Sequence, residues 1–328
     1  MVLLFLKMYY STRRNIPFTT KTMRKKRIEL HDLIRFISAD IKQIYGNPEN
    51  LFVDNITDAA NTNETTLDWI NPAKDNKQEI AERSKAKVML VDSSVEYSNE
   101  LQIQNKVLLV VDNPKLQLAK IGNHFFVDKL TSSIHPTSII DPQAKIGNDV
   151  YVGPYTVIGK SKIGDGCIVD ANVRIYDDVI LGTGCVVKSG AVLGGDGFGY
   201  EKDENGDLFR FPQIGELIIG NNVEIGSNST IDRGALSDTF IGDFSKINNL
   251  CHIAHNNKIG KNVVITGCVN ISGSNTIEDN VWIAPNSSIR GWVHIGEGAI
   301  IGMGSVVTKD IPAGETWLGN PARKLEKK

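Results

Sequence analysis

From Ile241 to Val307 an aliphatic residue stands at every sixth position: Ile241, Ile247, Ile253, Ile259, Ile265, Ile271, Ile277, Ile283, Ile289, Ile295, Ile301 and Val307. A period of six fits neither the helical repeat near 3.6 nor the two-residue alternation of a half-buried strand. It fits a coil of three short flat strands, each giving one inward aliphatic per hexapeptide. Stacked coils of that kind form a parallel β-helix of triangular section, with ladders of Ile and Val along its axis. Each aliphatic fully buried there contributes roughly 1.5–3 kcal/mol, so the ladder can carry the stability by itself. The same step recurs upstream at Ile140, Ile146, Val152 and Ile158, at Ile163, Val169, Ile175, Leu181, Val187 and Leu193, and at Ile219, Ile225 and Ile231. The fold class that follows is mainly β: a left-handed parallel β-helix of hexapeptide repeats, preceded by a small α/β domain.

Residues 27–133 lack the period. Ile28–Ala39 has apolar residues at helical spacing, Lys87–Val91 and Val107–Val111 read as strands, and Asn113–Ile121 reads as a helix after an Asn-Pro start. Between them lies 58–77, polar and Asn/Thr-rich, with a lone Trp69. The repeat domain is expected over 134–311 and a C-terminal cap over 312–328, covering an edge that would otherwise invite strand addition. Segment 196–216 abandons the period and carries Phe198, Tyr200, Phe209 and Phe211; it must loop out of the prism, and aromatic loops on a rigid scaffold usually bind something. A second slip falls around Asp232-Arg233-Gly234. Residues 1–26 read as a disordered tail or as sequence upstream of a start at Met23. Their short apolar run precedes Arg13 and Arg14, the reverse of a signal peptide.

A formal net charge of −2 gives no electrostatic case for nucleic acid as a partner. No apolar run is long enough to span a bilayer. The four cysteines all lie in the repeats without a CxxC pair, which reads as reduced thiols in a cytoplasmic protein. A nucleotidyltransferase is excluded by the lack of a Gly-rich phosphate loop in the N-terminal domain.

Chemistry is expected around Asn248-Asn249-Leu250-Cys251-His252-Ile253-Ala254-His255-Asn256. Ile253 is inward, so His252 and His255 lie outside the core, with His255 near a corner. One coil is eighteen residues, which stacks Gly273 above His255 and puts Trp292 close to two coils above it. A histidine under a glycine with an open backbone N–H is a workable acyl-transfer site. Imidazole, with an unperturbed pKa near 6.5, can take a proton from an attacking amine. The N–H can hold a thioester's oxyanion, and glycine permits close approach. The alternative is a histidine on a solvated corner. Zinc is not expected, because neighbouring coils supply no third histidine.

Four motifs occur in order: Leu193-Gly194-Gly195-Asp196-Gly197-Phe198-Gly199-Tyr200, Phe211-Pro212-Gln213-Ile214-Gly215, Thr230-Ile231-Asp232-Arg233-Gly234-Ala235-Leu236 and Ile253-Ala254-His255-Asn256. With them the chain resembles the UDP-3-O-(3-hydroxyacyl)glucosamine N-acyltransferases of lipid A synthesis, closely to about Ser274 and loosely over the α/β domain. The resemblance implies a homotrimer with active sites between subunits. It makes His255 the catalytic base, Gly273 the oxyanion donor, and the N-terminal domain the holder of a nucleotide with an aromatic, matched by Trp69, against uracil. His252, Phe198, Tyr200 and Trp292 join Trp69 as candidate substrate-binding residues.

Three departures from the family bear on substrate. Asn248 stands where relatives often have Asp, seven residues before the base, and an amide orients imidazole less strongly. Trp292 stands where relatives have a second histidine near the acyl chain, and its ring would shorten an acyl pocket. The family's C-terminal helical extension is missing; Gly319-Asn320-Pro321-Ala322-Arg323-Lys324 resembles instead the ending of coenzyme A-dependent sugar transferases, which makes Lys309, Arg323 and Lys324 candidates for donor phosphates. Two versions of one N-acyl transfer to a nucleotide-linked amino sugar stay open. The donor is an acyl carrier protein thioester in lipid A synthesis, or a short acyl-coenzyme A for a surface-polysaccharide sugar. Neither needs a permanently bound cofactor. A reading of another class is a non-catalytic β-helical trimer, which would tolerate loss of His255.

Overall fold

The structure, a computed structural model, describes residues 26–128 and 130–326, which form two units divided at residue 129. The expected tail, 1–26, lies outside the described residues but for Lys26. Among the described residues no helix is long and apolar enough to cross a membrane.

The N-terminal unit runs β1 (Ile28–Glu29), α1 (Leu30–Phe36), β2 (Ile41–Tyr45), β3 (Phe52–Val53), β4 (Leu67–Trp69), α2 (Lys77–Arg83), β5 (Val88–Val91), α3 (Asn99–Ile103), β6 (Val107–Val111) and α4 (Pro114–Ile121). Its main sheet has the order β2-β6-β5-β4, antiparallel at β2/β6 and parallel elsewhere. Every residue of β5 and β6 is buried, as expected of central strands covered on both faces. Val88, Leu90, Val107, Leu109 and Val111 pack with Leu30 and Leu33 of α1 and Ile121 of α4. Met89, Val91, Leu108 and Val110 pack on the other side with Ala81 of α2 and Leu101 of α3. Asn113 caps α4 by accepting the Leu116 N–H at 3.0 Å, with Pro114 in the first turn. The polar segment 58–77 holds β4, whose pairing with β5 leaves Trp69 half-buried against the core. The helix expected over Ile28–Ala39 is confined to α1, because Ile28–Glu29 pairs with β3 instead.

Lys106 is 2% exposed, and its Nζ donates to Ala81 O (2.8 Å), Glu82 O (2.9 Å) and Ser84 O (2.7 Å), carbonyls at the C-terminal end of α2. A cation there satisfies orphan carbonyls and complements the helix dipole. Lys106→Met is expected to cost about 2–4 kcal/mol, because the carbonyls lose their donor inside the fold. A shift of the urea midpoint at constant slope checks this.

The second unit is a left-handed parallel β-helix. Its three sheets begin at Ser133–Ile134, Ile139–Ile140 and Lys145–Ile146, and are here called the first, second and third faces. Partners such as Ile163 and Leu181, or Ile253 and Ile271, are eighteen residues apart, one coil. The ladder from Val152 to Val307 is buried throughout, while Ile140 and Ile146 in the opening coil are partly buried. Corners recur in a left-handed conformation, mostly at Asn, Asp or Gly, the residues that tolerate it.

Both interruptions are visible in the register. Leu181 pairs with Ile219, a step of 38, so twenty residues leave the prism; within them Tyr200–Lys202 and Leu208–Arg210 form an antiparallel hairpin. Ile219 then pairs with Ile241, a step of 22, and four extra residues bulge after Asp232. At the C-terminal end Thr316–Leu318 adds a parallel strand to the first face, and Arg323–Lys324 turns back antiparallel upon it. All four cysteines are free thiols.

Candidate active site

Strand His252–Ile253 lies on the second face between Thr230–Asp232 and Asn270–Ile271. Ile253 fills the ladder, and the chain then rounds the corner through 254–257 to Lys258–Ile259 on the third face. A buried pair of asparagines holds this corner to the next one. Asn257 Nδ2 donates to Ala254 O (2.6 Å) and Ser272 O (3.0 Å), and Asn257 Oδ1 accepts the Asn275 N–H (3.1 Å). Asn275 Nδ2 in turn donates to Ser272 O at 2.6 Å. The two turns that carry His255 and Gly273 are thereby fixed relative to each other.

The half-buried imidazole of His255 is held on three sides. Its Nδ1 lies 2.8 Å from Asn256 Oδ1. That oxygen also accepts the Ala235 N–H (3.0 Å), while Asn256 Nδ2 donates to Ser237 O (3.0 Å) and Ser237 Oγ (2.6 Å). A backbone N–H at one end and a carbonyl at the other leave the amide one orientation, so Nδ1 must be the donor. Nε2 keeps its lone pair. Gly273 faces the ring so closely that a methyl group there would sit 2.8 Å from Cε1 and 3.0 Å from Nε2. Gly197, at the start of the inserted loop, faces the other side; a methyl group there would lie 2.7 Å from Cδ2 and 2.8 Å from Gln213 Oε1. The Gly273 N–H donates to no protein atom among the described residues. A fixed base beside a free backbone donor is the minimum equipment for acyl transfer.

Trp292 lies in the corner one coil beyond Gly273: its N–H donates to Gly273 O at 3.3 Å, its φ is +64°, and the residue is 82% exposed. Lys309 follows one coil further along the same edge and makes no ion pair among the described residues. Phe198, 85% exposed, adjoins Gly197 and meets Tyr200 edge to face at 5.0 Å. Asn248 lies at the corner before strand His252–Ile253, where its Oδ1 accepts the Asn249 N–H; within the chain Asn256 holds the His255 ring. Arg323 and Lys324 belong to the first face, Arg323 donating to Ala322 O and Lys324 pairing with Glu315 at 2.5 Å. Trp69 stands in the N-terminal unit. Asn257 and Asn275 stand outside the four motifs, and Asn256, Gly197, Gln213 and Asp232 stand within them without an expected role.

His252 Nδ1 lies 2.8 Å from Thr230 Oγ1, and its Nε2 is 3.8 Å from Asp232 Oδ2. Burial, reinforced by the nearby charge of Asp196, pushes the Asp232 carboxyl up to about 7, and burial pushes His252 down. Both shifts favour neutral forms, so this contact is no ion pair near neutrality. Unfolding returns Asp232 to about 3.9. Between those values the native state holds a proton that the unfolded chain releases, so this group's contribution is present at acid pH and fades as pH rises through 7. Asp232→Asn should therefore gain on the wild type, on the order of 2–4 kcal/mol, between pH 4 and pH 8. Melting temperatures of both proteins across that range check it.

Comparison with known proteins gives the following matches. The model described as "Bacterial transferase hexapeptide (six repeats)" matches residues 160–195 and 276–309, and "Hexapeptide repeat of succinyl-transferase" matches 216–236. The UDP-3-O-acylglucosamine N-acyltransferase 1 of Francisella tularensis subsp. holarctica is 41% identical over 291 residues, covering 79% of this chain and 83% of that one. The UDP-3-O-acylglucosamine N-acyltransferase of Coxiella burnetii is 39% identical over 219 residues, 60% of this chain; the match spans 64% of the Coxiella protein's length. The solved UDP-N-acetylglucosamine O-acyltransferase of Moraxella catarrhalis superposes with a TM-score of 0.51 at 28% identity, covering 58% of this chain and 73% of that one.

Proposed function

Because the chain belongs to the UDP-3-O-acylglucosamine N-acyltransferase family, we propose that it transfers an acyl group, 3-hydroxyacyl in the first version, from a thioester to the amine of a nucleotide-linked glucosamine, as in lipid A synthesis. The observation that carries the reading is the His255 ring held by Asn256 with Nε2 free, against a glycine whose N–H has no partner. The amine nitrogen attacks the thioester carbonyl carbon and a C–N bond forms. His255 Nε2 takes a proton from that nitrogen, while the Gly273 N–H donates to the oxyanion. Collapse breaks the C–S bond, and the imidazolium returns its proton to the departing thiolate. The reading takes a homotrimer as the working unit and the cytoplasm as its place, with Trp69 the aromatic that meets the nucleotide base.

A second reading, a short-chain acyl-coenzyme A transferase acting on an amino-deoxy sugar, is favoured by two features of one edge. The exposed Trp292 stands in the corner one coil beyond Gly273, where it would end an apolar groove early, and Lys309 lies one coil further, free to meet phosphates. The test offers UDP-3-O-acylglucosamine with 3-hydroxymyristoyl carrier protein, and in parallel UDP-linked amino sugars with acetyl- and 3-hydroxybutyryl-coenzyme A, following thiol release. Turnover with the carrier protein supports the first reading. Turnover with coenzyme A thioesters alone supports the second, and none with either overturns both.

A further inference from the structure

Gln213 Oε1 is buried and accepts no hydrogen bond among the described residues. The amide is not free to turn away, because its Nε2 donates to Phe211 O at 3.3 Å. Its two ends abut two glycines of the inserted loop: a methyl group on Gly199 would lie 3.4 Å from Nε2, and one on Gly197 would lie 2.8 Å from Oε1. The same methyl-sized gap at Gly197 touches His255 Cδ2 and Cβ at 2.7 and 2.9 Å. An unpaired carbonyl oxygen, itself out of contact with solvent, therefore lies against the same methyl-sized gap as the His255 ring.

We propose that Gln213 is a positioning residue for His255, whose orphan amide oxygen stabilises the imidazolium that forms when the ring takes a proton. A buried acceptor without a donor is a cost in the resting protein. A positive charge appearing beside it turns that cost into a gain, and the effect is large where water is excluded. Asn256 Oδ1 faces Nδ1 and Gln213 Oε1 faces the Cδ2 side, so two amide oxygens serve where a carboxylate would stabilise the ring but also bring a full buried charge. Other charged groups on the surrounding elements are Asp196 with its partner Arg210, Arg233 with its partner Asp178, Glu216, Asp232, Asp238 and His252. None of them hydrogen-bonds the ring among the described residues, and all stay in place when Gln213 alone is changed.

The inference rests on the acyl-transfer reading for its catalytic meaning, but the charge effect can be read without turnover. The experiment titrates the His255 imidazole by NMR in the substrate-free wild type, Gln213→Leu and Gln213→Glu, and records the pH profile of kcat/KM for each. Gln213→Leu should move the titration and the acid limb to lower pH by about half a unit and lower kcat several-fold with KM held. Gln213→Glu should move both to higher pH. An unmoved titration in Gln213→Leu overturns the proposal, whatever the activity does. A moved titration in a protein that turns over nothing upholds the charge effect and counts against the acyl-transfer reading instead.

Discussion

Replacing His255 by alanine should lower kcat by about 10²–10⁴-fold and leave the fold intact. The size follows from the loss of a base already held in place, with its tautomer set before substrate arrives. The fold survives because His255 contributes nothing to the ladder: Ile253 does, and Asn257 and Asn275 hold the corner from inside. Steady-state kinetics together with circular dichroism and a melting curve separate the two effects. Retention of most turnover with a normal melt would remove His255 from the chemistry, whereas the non-catalytic trimer of the alternative reading would show no turnover in either protein.

Gly273→Ala should be nearly as damaging, a loss of about 10²-fold or more, although it adds a single methyl group. Gly273 does not occupy the left-handed region, so alanine can adopt its backbone without strain. What the methyl meets is the ring itself, at 2.8 Å from Cε1 and 3.0 Å from Nε2, closer than carbon atoms tolerate. The imidazole must swing away from the Asn256 amide, and a displacement of an ångström in such a group costs about two orders of magnitude. Gly273→Ala with His255→Ala gives the control. If the ring is the target, the double variant should be hardly worse than His255→Ala alone.

The prism was legible because its period is set by burial, and burial tolerates only aliphatics on the axis. The same argument located the inserted loop and the bulge after Asp232, where the period fails. The site is legible in part: eighteen-residue stacking alone puts Gly273 over His255, where the folded chain has it. Asn256 was hidden because every corner of this fold wants a residue tolerant of a left-handed φ, and Asn172, Asn222, Asn262 and Asn280 answer the same need without touching the ring. Asn257 and Asn275 did leave a signal, two asparagines one coil apart at the buried hexapeptide position that elsewhere holds smaller or apolar residues such as Thr239, Ser245, Val263, Ser287 and Val293. Gly197 and Gln213 lie in the aperiodic loop, and only the folded hairpin brings them to His255, 58 and 42 positions later. β4 was missed because three residues, one of them Asp68, carry too little alternation to stand out.

The measurement that tests the account most directly is the identity of the bond made. The protein is incubated with UDP-3-O-acylglucosamine and each thioester donor, and the product is characterised by mass spectrometry and by NMR of the sugar C2 position. The account predicts one added acyl group held as an amide on the C2 nitrogen, stable to mild alkali, and formed at least about 10²-fold more slowly when His255→Ala replaces the wild type. An added acyl group held as an alkali-labile ester, or an amide formed equally well by His255→Ala, would contradict it.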